Sequence, residues 1–246
     1  MKNYKYILYL FCIVFFSFCK KENWCDCVKT TGNVIGNTRD VKDFTCITTE
    51  DKMDVYLTQG SNFEVTVVAG THLQKLIKTE IDGETLKVFN KNRCNWVRGY
   101  KHRIKIYITA PYFKYLKNTG VGSIISEGII TQDMLSLRIE NSGEVRLNLN
   151  TQEFRGSVHG NGDLYLEGKT DRFLWDNVGT NYVYAQDLTI NNYVYLHHAS
   201  IGKVFIKAPE NGLMDILIDK SGDAHYTGNP AQINLTETGK GKLIKD

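Results

Sequence analysis

The sequence predicts an all-β protein in which an N-terminal β-strand domain continues into a C-terminal β-solenoid of about 20 residues per rung. Three observations predict it. A Gly–polar–apolar step returns at intervals of 19 to 21 residues through the second half of the chain. The first half consists of short runs that alternate polar and apolar residues, the period of a strand. The composition, with 21 Gly, 14 Tyr and 3 Pro in 246 residues, suits many strands joined by tight turns. Nothing reads as alternating strands and helices, which argues against a Rossmann-type or TIM-type enzyme.

Residues 1–18 read as an export signal. Lys2 and Lys5 precede an apolar stretch from Tyr6 to Phe18, broken only by Ser17. Its 13 residues fall short of the roughly 20 that span a bilayer as a helix. The stretch ends in Phe16-Ser17-Phe18-Cys19 and then Lys20-Lys21-Glu22, the way bacterial lipoprotein signals end. Cys19 is therefore the expected lipid-bearing first residue of the mature chain, tethered to a membrane through acyl chains. The Lys-Lys-Glu resembles the charged signals that send some Bacteroidetes lipoproteins to the outer face of the outer membrane. Residues 19–32 form the anchor and linker. The formal charge of +3 includes Lys2 and Lys5, so the mature body is close to neutral. No basic cluster points to nucleic acid as a partner.

Cys12 lies in the signal, which leaves Cys25, Cys27, Cys46 and Cys94 beyond the anchor. Four cysteines in an exported chain predict two disulfides that tie the N-terminal arm to the first domain, with three possible pairings.

Residues 33–111 make the N-terminal β domain. Strands are expected at 54–58, 63–68, 85–89 and 103–109, the third after an Asp82-Gly83 turn and the last closed by Ala110-Pro111. Only Gly70–Leu76 hints at a helical turn.

Residues 112–246 repeat. The step appears at Gly122-Ser123-Ile124, Gly143-Glu144-Val145, Gly162-Asp163-Leu164, Asn181-Tyr182-Val183, Gly202-Lys203-Val204, Gly222-Asp223-Ala224 and Gly241-Lys242-Leu243. The intervals are 21, 19, 19, 21, 20 and 19 residues. Asn replaces Gly once, as expected if the slot needs a positive φ. Each step opens a strand with apolar residues at alternate positions. A second apolar stretch follows halfway round, including Leu135/Leu137/Ile139 and Phe173/Trp175. A further Gly slot recurs at Gly128, Gly168 and Gly228. A unit this short cannot bury a core alone but can do so stacked on its neighbours. Right-handed coiling follows from the general crossover preference.

The chain resembles a family at this point. Exported Bacteroidetes proteins of the auto-transporter adhesin, head GIN domain family carry repeated Gly-Ser-Gly-Asp-type steps at this spacing. They open with an alternating strand ending in Pro, like Ile104–Pro111, and close with a Tyr-x-Gly-x-Pro step, like Tyr226-Thr227-Gly228-Asn229-Pro230. The match spans roughly residues 30–246. The resemblance implies a β-helical, surface-associated protein and brings no catalytic residues.

Candidate sites are few. Glu144 and Asp163 fall on adjacent rungs, about 5 Å apart, within range of a retaining glycosidase pair. The plainer reading is a solvated column of mixed charge. His197 and His198 point to opposite faces, and His159 and His198 could share a corner, but no Cys or carboxylate at fixed spacing completes a metal site. Trp175, Tyr182, Tyr184, Tyr193 and Tyr195 form a candidate binding face, since outward Tyr and Trp stack on sugars or anchor a protein partner; core and edge packing competes with that reading. No nucleophile, phosphate-loop or cofactor motif is present. The expected function is a non-enzymatic adhesive or ligand-binding module on the cell envelope, an outer-membrane lipoprotein with a glycan or protein ligand. The alternative is a carbohydrate-active enzyme using Glu144 and Asp163.

Overall fold

The computed structural model describes residues 30–92 and 103–246. The expected signal, anchor Cys19, and Cys25, Cys27 and Cys94 lie outside them. Every helix or strand among the described residues is a strand. No helix there is long and apolar enough to cross a membrane. Within the expected helical turn Gly70–Leu76, Gly70 ends a strand and residues 71–76 form consecutive turns, with Leu73 N donating to Gly70 O at 2.8 Å.

The N-terminal strands are β1 (Val34–Arg39), β2 (Cys46–Thr49), β3 (Met53–Gln59), β4 (Glu64–Gly70), β5 (Ile77–Asp82), β6 (Thr85–Asn90) and β7 (Ile104–Ala110). The repeats supply β8 (Tyr115–Asn118), β9 (Ile124–Asn141), β10 (Val145–Gly160), β11 (Leu164–Gly179) and β12 (Val183–Ser200). They finish with β13 (Val204–Lys207), β14 (Leu213–Ile218), β15 (Ala224–Thr227), β16 (Gln232–Glu237) and β17 (Leu243–Lys245).

Together they make a β-solenoid with two faces. On the first face the parallel ladder runs β7, β3, then the opening halves of β9 to β12, then β13, β15 and β17. On the second it runs β6, β2, β8, then the closing halves of β9 to β12, then β14 and β16. The ladders pass unbroken across residue 111, because β2 and β3 pair with β8 and β9. The stacking is not in chain order there. β6 and β7 lie outside β2 and β3, which are clamped between them and the repeats. Antiparallel β4 and β1 extend the first face beyond β7, and antiparallel β5 extends the second beyond β6.

The step glycines sit where rungs approach most closely. A Cβ on Gly143 would lie 2.4 Å from the Gly122 carbonyl oxygen, on Gly162 2.3 Å from that of Gly143, and on Gly222 1.9 Å from that of Gly202. None of these step glycines has a positive φ. The expected reason for Gly is thus corrected: the slot lacks room rather than needing an unusual backbone. Asn181 fits the corner by burying its amide, which donates to the carbonyls of Gly160 at 3.1 Å and Val178 at 2.9 Å. Positive φ belongs to the other slot, where Gly128, Gly168 and Gly228 lie at 96°, 97° and 95°.

The interval lengths have a structural meaning. β10 and β11 pair in one constant register. Their neighbours do not: Arg146 pairs with Ile125 but Asn148 with Ile129, so β9 bulges by two residues. Tyr165 pairs with Tyr184 but Glu167 with Asp187, so β12 bulges at 185–186, and it bulges again between Ile190 and Tyr193. Two regular 19-residue rungs therefore lie between two 21-residue ones. Among the described residues one hydrophobic core runs from Phe44 to Ala224, and Phe154, Phe173 and Trp175 stack in it at centroid distances of 5.8 to 6.2 Å.

Candidate functional site

The residue two after each step's polar position points outward on the first face. Successive rungs place Arg146, Tyr165, Tyr184, Phe205 and His225 in one column. The rings stack nearly parallel, Tyr165–Tyr184 at 4.7 Å, Tyr184–Phe205 at 5.6 Å and Phe205–His225 at 5.0 Å. The Arg146 guanidinium caps the column 3.8 Å from the Tyr165 centroid. At the other end His225 Nδ1 meets Asp246 Oδ1 at 2.9 Å. Partial burial pushes the Tyr165 and Tyr184 hydroxyls above the ordinary phenol value. Beside this ladder runs a shallow trough. One stretch of it crosses four rungs, from Ile125 and Ser126 over β10 and β11 to Gln186 and Asp187, and another continues past Phe205 to Asp246.

This arrangement corrects the expected binding face. Trp175 is fully buried, packed in the core against Phe154 and Phe173, because it lies in phase with Phe173 on β11. Tyr182 and Tyr184 are on the first face, with rings 6.1 Å apart. Tyr193 and Tyr195 are on the second, on the far half of β12, so the four tyrosines do not share a surface. Tyr193 donates to Asp215 Oδ2 at 2.6 Å, which pushes its pKa up to about 12. Because the ladder rings cover one another's faces, they offer a ligand mainly their edges, against the expected stacking of sugars on open rings.

Glu144 and Asp163 do fall on adjacent rungs of one column, with structural partners. Glu144 Oε1 accepts from Arg146 Nε at 2.5 Å, and Asp163 Oδ1 accepts from the Tyr182 backbone N–H at 2.8 Å. Asp54 and Asp223 hold the Ser123 and Lys242 N–H groups in the same way, at 3.2 and 3.0 Å. An Asp in this column thus fastens one rung to the next, whereas Glu144 is tied within its own rung.

On the second face His197 bridges Asp176 at 3.2 Å and Asp219 at 3.0 Å. The Asp219 contact, more than the Asp176 one, raises the imidazole pKa. Its neighbour His198 is buried, its Nδ1 3.1 Å from Asn177 Nδ2, and burial lowers its pKa. His159 is exposed on the opposite side of the sheet from His198, so the two share no corner site. Cys46 is a free thiol 3.8 Å from Thr45 Oγ1, with Thr85 and Tyr115 as its ladder neighbours, and the other three cysteines of the expected disulfides lie outside the described residues.

A family model described as "Putative auto-transporter adhesin, head GIN domain" matches residues 43–230. The chain belongs to this family. Solved structures agree on the architecture. A "putative adhesin" from Bacteroides fragilis is similar with a TM-score of 0.80 at 24% identity, covering 89% of this chain and 100% of that one. A "putative lipid binding protein" from Parabacteroides distasonis gives 0.69 at 21%, covering 89% and 99%. A "putative adhesin" from Parabacteroides merdae gives 0.59 at 15%, covering 89% and 98%. At these identities the likeness is one of fold. No curated protein matches the chain. Within this head GIN chain, sequence reasoning found Tyr182 and Tyr184 but missed Arg146, Tyr165, Phe205 and His225. Their signal was the step itself: each follows the step's apolar residue.

Proposed function

We propose that this head GIN protein is a non-enzymatic adhesive module, displayed on the cell envelope by a lipid on Cys19, that engages its ligand along the first face. The observation that carries the reading is the trough beside the aromatic ladder, the groove on the first face where side chains of four rungs converge. The ties of Glu144 and Asp163 to Arg146 and to the next rung's backbone support a structural role for both carboxylates. The cysteine context of residue 19 and the near-neutral body fit an outer-membrane lipoprotein that meets the membrane only through acyl chains. The test has two arms. Cells given labelled palmitate should label the protein and lose the label in Cys19→Ala. Beads coated with the mature protein should adhere to target cells and adhere less with Tyr184→Ala. Glycan turnover abolished by Glu144→Gln would replace this reading with the enzymatic one.

A further inference from the structure

The trough owes its shape to rung length. Its floor is the opening halves of β10 and β11, which run in constant register. Its two ends are bulges, in β9 after Ile125 and in β12 around Gln186. The β9 bulge is pinned, with Ser126 Oγ accepting from Asn148 N at 2.8 Å and Glu127 Oε2 accepting from Thr58 Oγ1 at 3.3 Å. Bulges recur beside binding sites because they re-aim side chains. Here they raise walls around two short rungs and make a depression spanning about 14 Å, three inter-rung steps.

The chemistry of this depression selects among occupants. On an interior sheet face the backbone groups are spent on the ladders, so an extended peptide finds no edge to pair with. Recognition has to come from side chains. Arg146 is already tied to Glu144, which leaves Glu167 and Asp187 as the uncompensated charges of the lining. A polyanion, sulfated or phosphorylated, is repelled. The edges of Tyr165 and Tyr184 give one apolar wall. Asn148, Glu167, Gln186 and Asp187 give an opposite wall of amide and carboxylate groups, of which Gln186 and Asp187 are exposed on the bulge. Donors and acceptors facing an apolar wall suit a chain of hydroxyl-bearing rings, and rungs stacked at a regular step suit a repeating polymer.

We infer that the depression over β10 and β11 binds a short stretch of an uncharged glycan lying along the solenoid axis. The inference rests on the adhesive reading of the first face and specifies its ligand. The experiment retains the mature protein on immobilised mannan, xylan and laminarin, with heparin as the polyanion. Retention is expected on at least one uncharged glycan. It should persist at about 1 M NaCl, where the screening length is about 3 Å. Gln186→Ala, on an exposed bulge where the fold is not at stake, should weaken it several-fold, and Tyr184→Ala about tenfold, or about 1.4 kcal/mol. Tyr195→Ala, on the other face, should leave it unchanged. Retention by heparin alone that salt removes, by no uncharged glycan, or undiminished in both trough variants overturns the inference. Bead adherence that resists periodate treatment of the target cells but falls with protease and with Tyr184→Ala would overturn the glycan while leaving the adhesive reading intact.

Discussion

The two faces of the solenoid are built on the same rungs and the same core, yet they are finished differently. The first face is held by rings: Arg146 on Tyr165, then Tyr184, Phe205 and His225 in one stack. The second is held by charge: Glu153 between Arg172 and Arg155, Glu140 with Arg138 and Lys117, and His197 between two aspartates. Identical backbone geometry tolerates either finish, because outward side chains one rung apart meet whether they stack or pair. The difference is in what covers the outward column of each face: stacked rings beside the first-face trough, ion pairs on the second.

The largest effect should come from breaking what the faces share. Trp175→Ala empties a fully buried site next to Phe154 and Phe173 and should cost about 3–5 kcal/mol in denaturant unfolding. Gly143→Ala sets a methyl against the Gly122 carbonyl and should cost about 1–3 kcal/mol; a fully stable variant would mean that the corner yields. Tyr184→Ala should touch only the first face, at about 1 kcal/mol, while Tyr184→Phe keeps the stack and the stability.

The smallest effects should fall on the second face and depend on conditions. The His197 pKa in the fold lies above its ordinary 6.5, so its contribution is complete below pH 6.5 and is lost as pH rises through the folded value. Stability against pH, compared between the natural chain and His197→Gln, should differ below that window and converge above it, by under about 1 kcal/mol, since the pairs are partly exposed. His198 works oppositely. Its pKa is depressed, so stability is lost as pH falls from 6.5 through the folded value. High salt should weaken the second face and leave the aromatic ladder unmoved.

Much of this was legible in the sequence, for a physical reason. A corner that admits no Cβ repeats as Gly every rung, so the period from Gly122 to Gly241 was readable, as were the inward columns. Trp175 was also legible as core, being in phase with Phe173, and its aromatic character misdirected its assignment. The ladder was harder, because Arg, Tyr, Phe and His share no single chemistry and only register unites them. The placement of β6 and β7 outside β2 and β3 had no signal at all. It depends on pairings between distant segments such as Cys46 with Thr85, which leave no short-range pattern.

That interleaved beginning bears on mechanics. A load applied through the N-terminal end reaches β1 and then β2. β2 is not a terminal rung that can be peeled away. It is bonded along both edges, to β6 and to β8, just as β3 is bonded to β7 and β9. Once β1, held among the described residues by β4 alone, is peeled away, traction has to shear two ladders at once, so unravelling from the N-terminal side halts at β2 and β3. From the other side β17, held among the described residues by β15 alone, is followed by rungs that are freed one at a time.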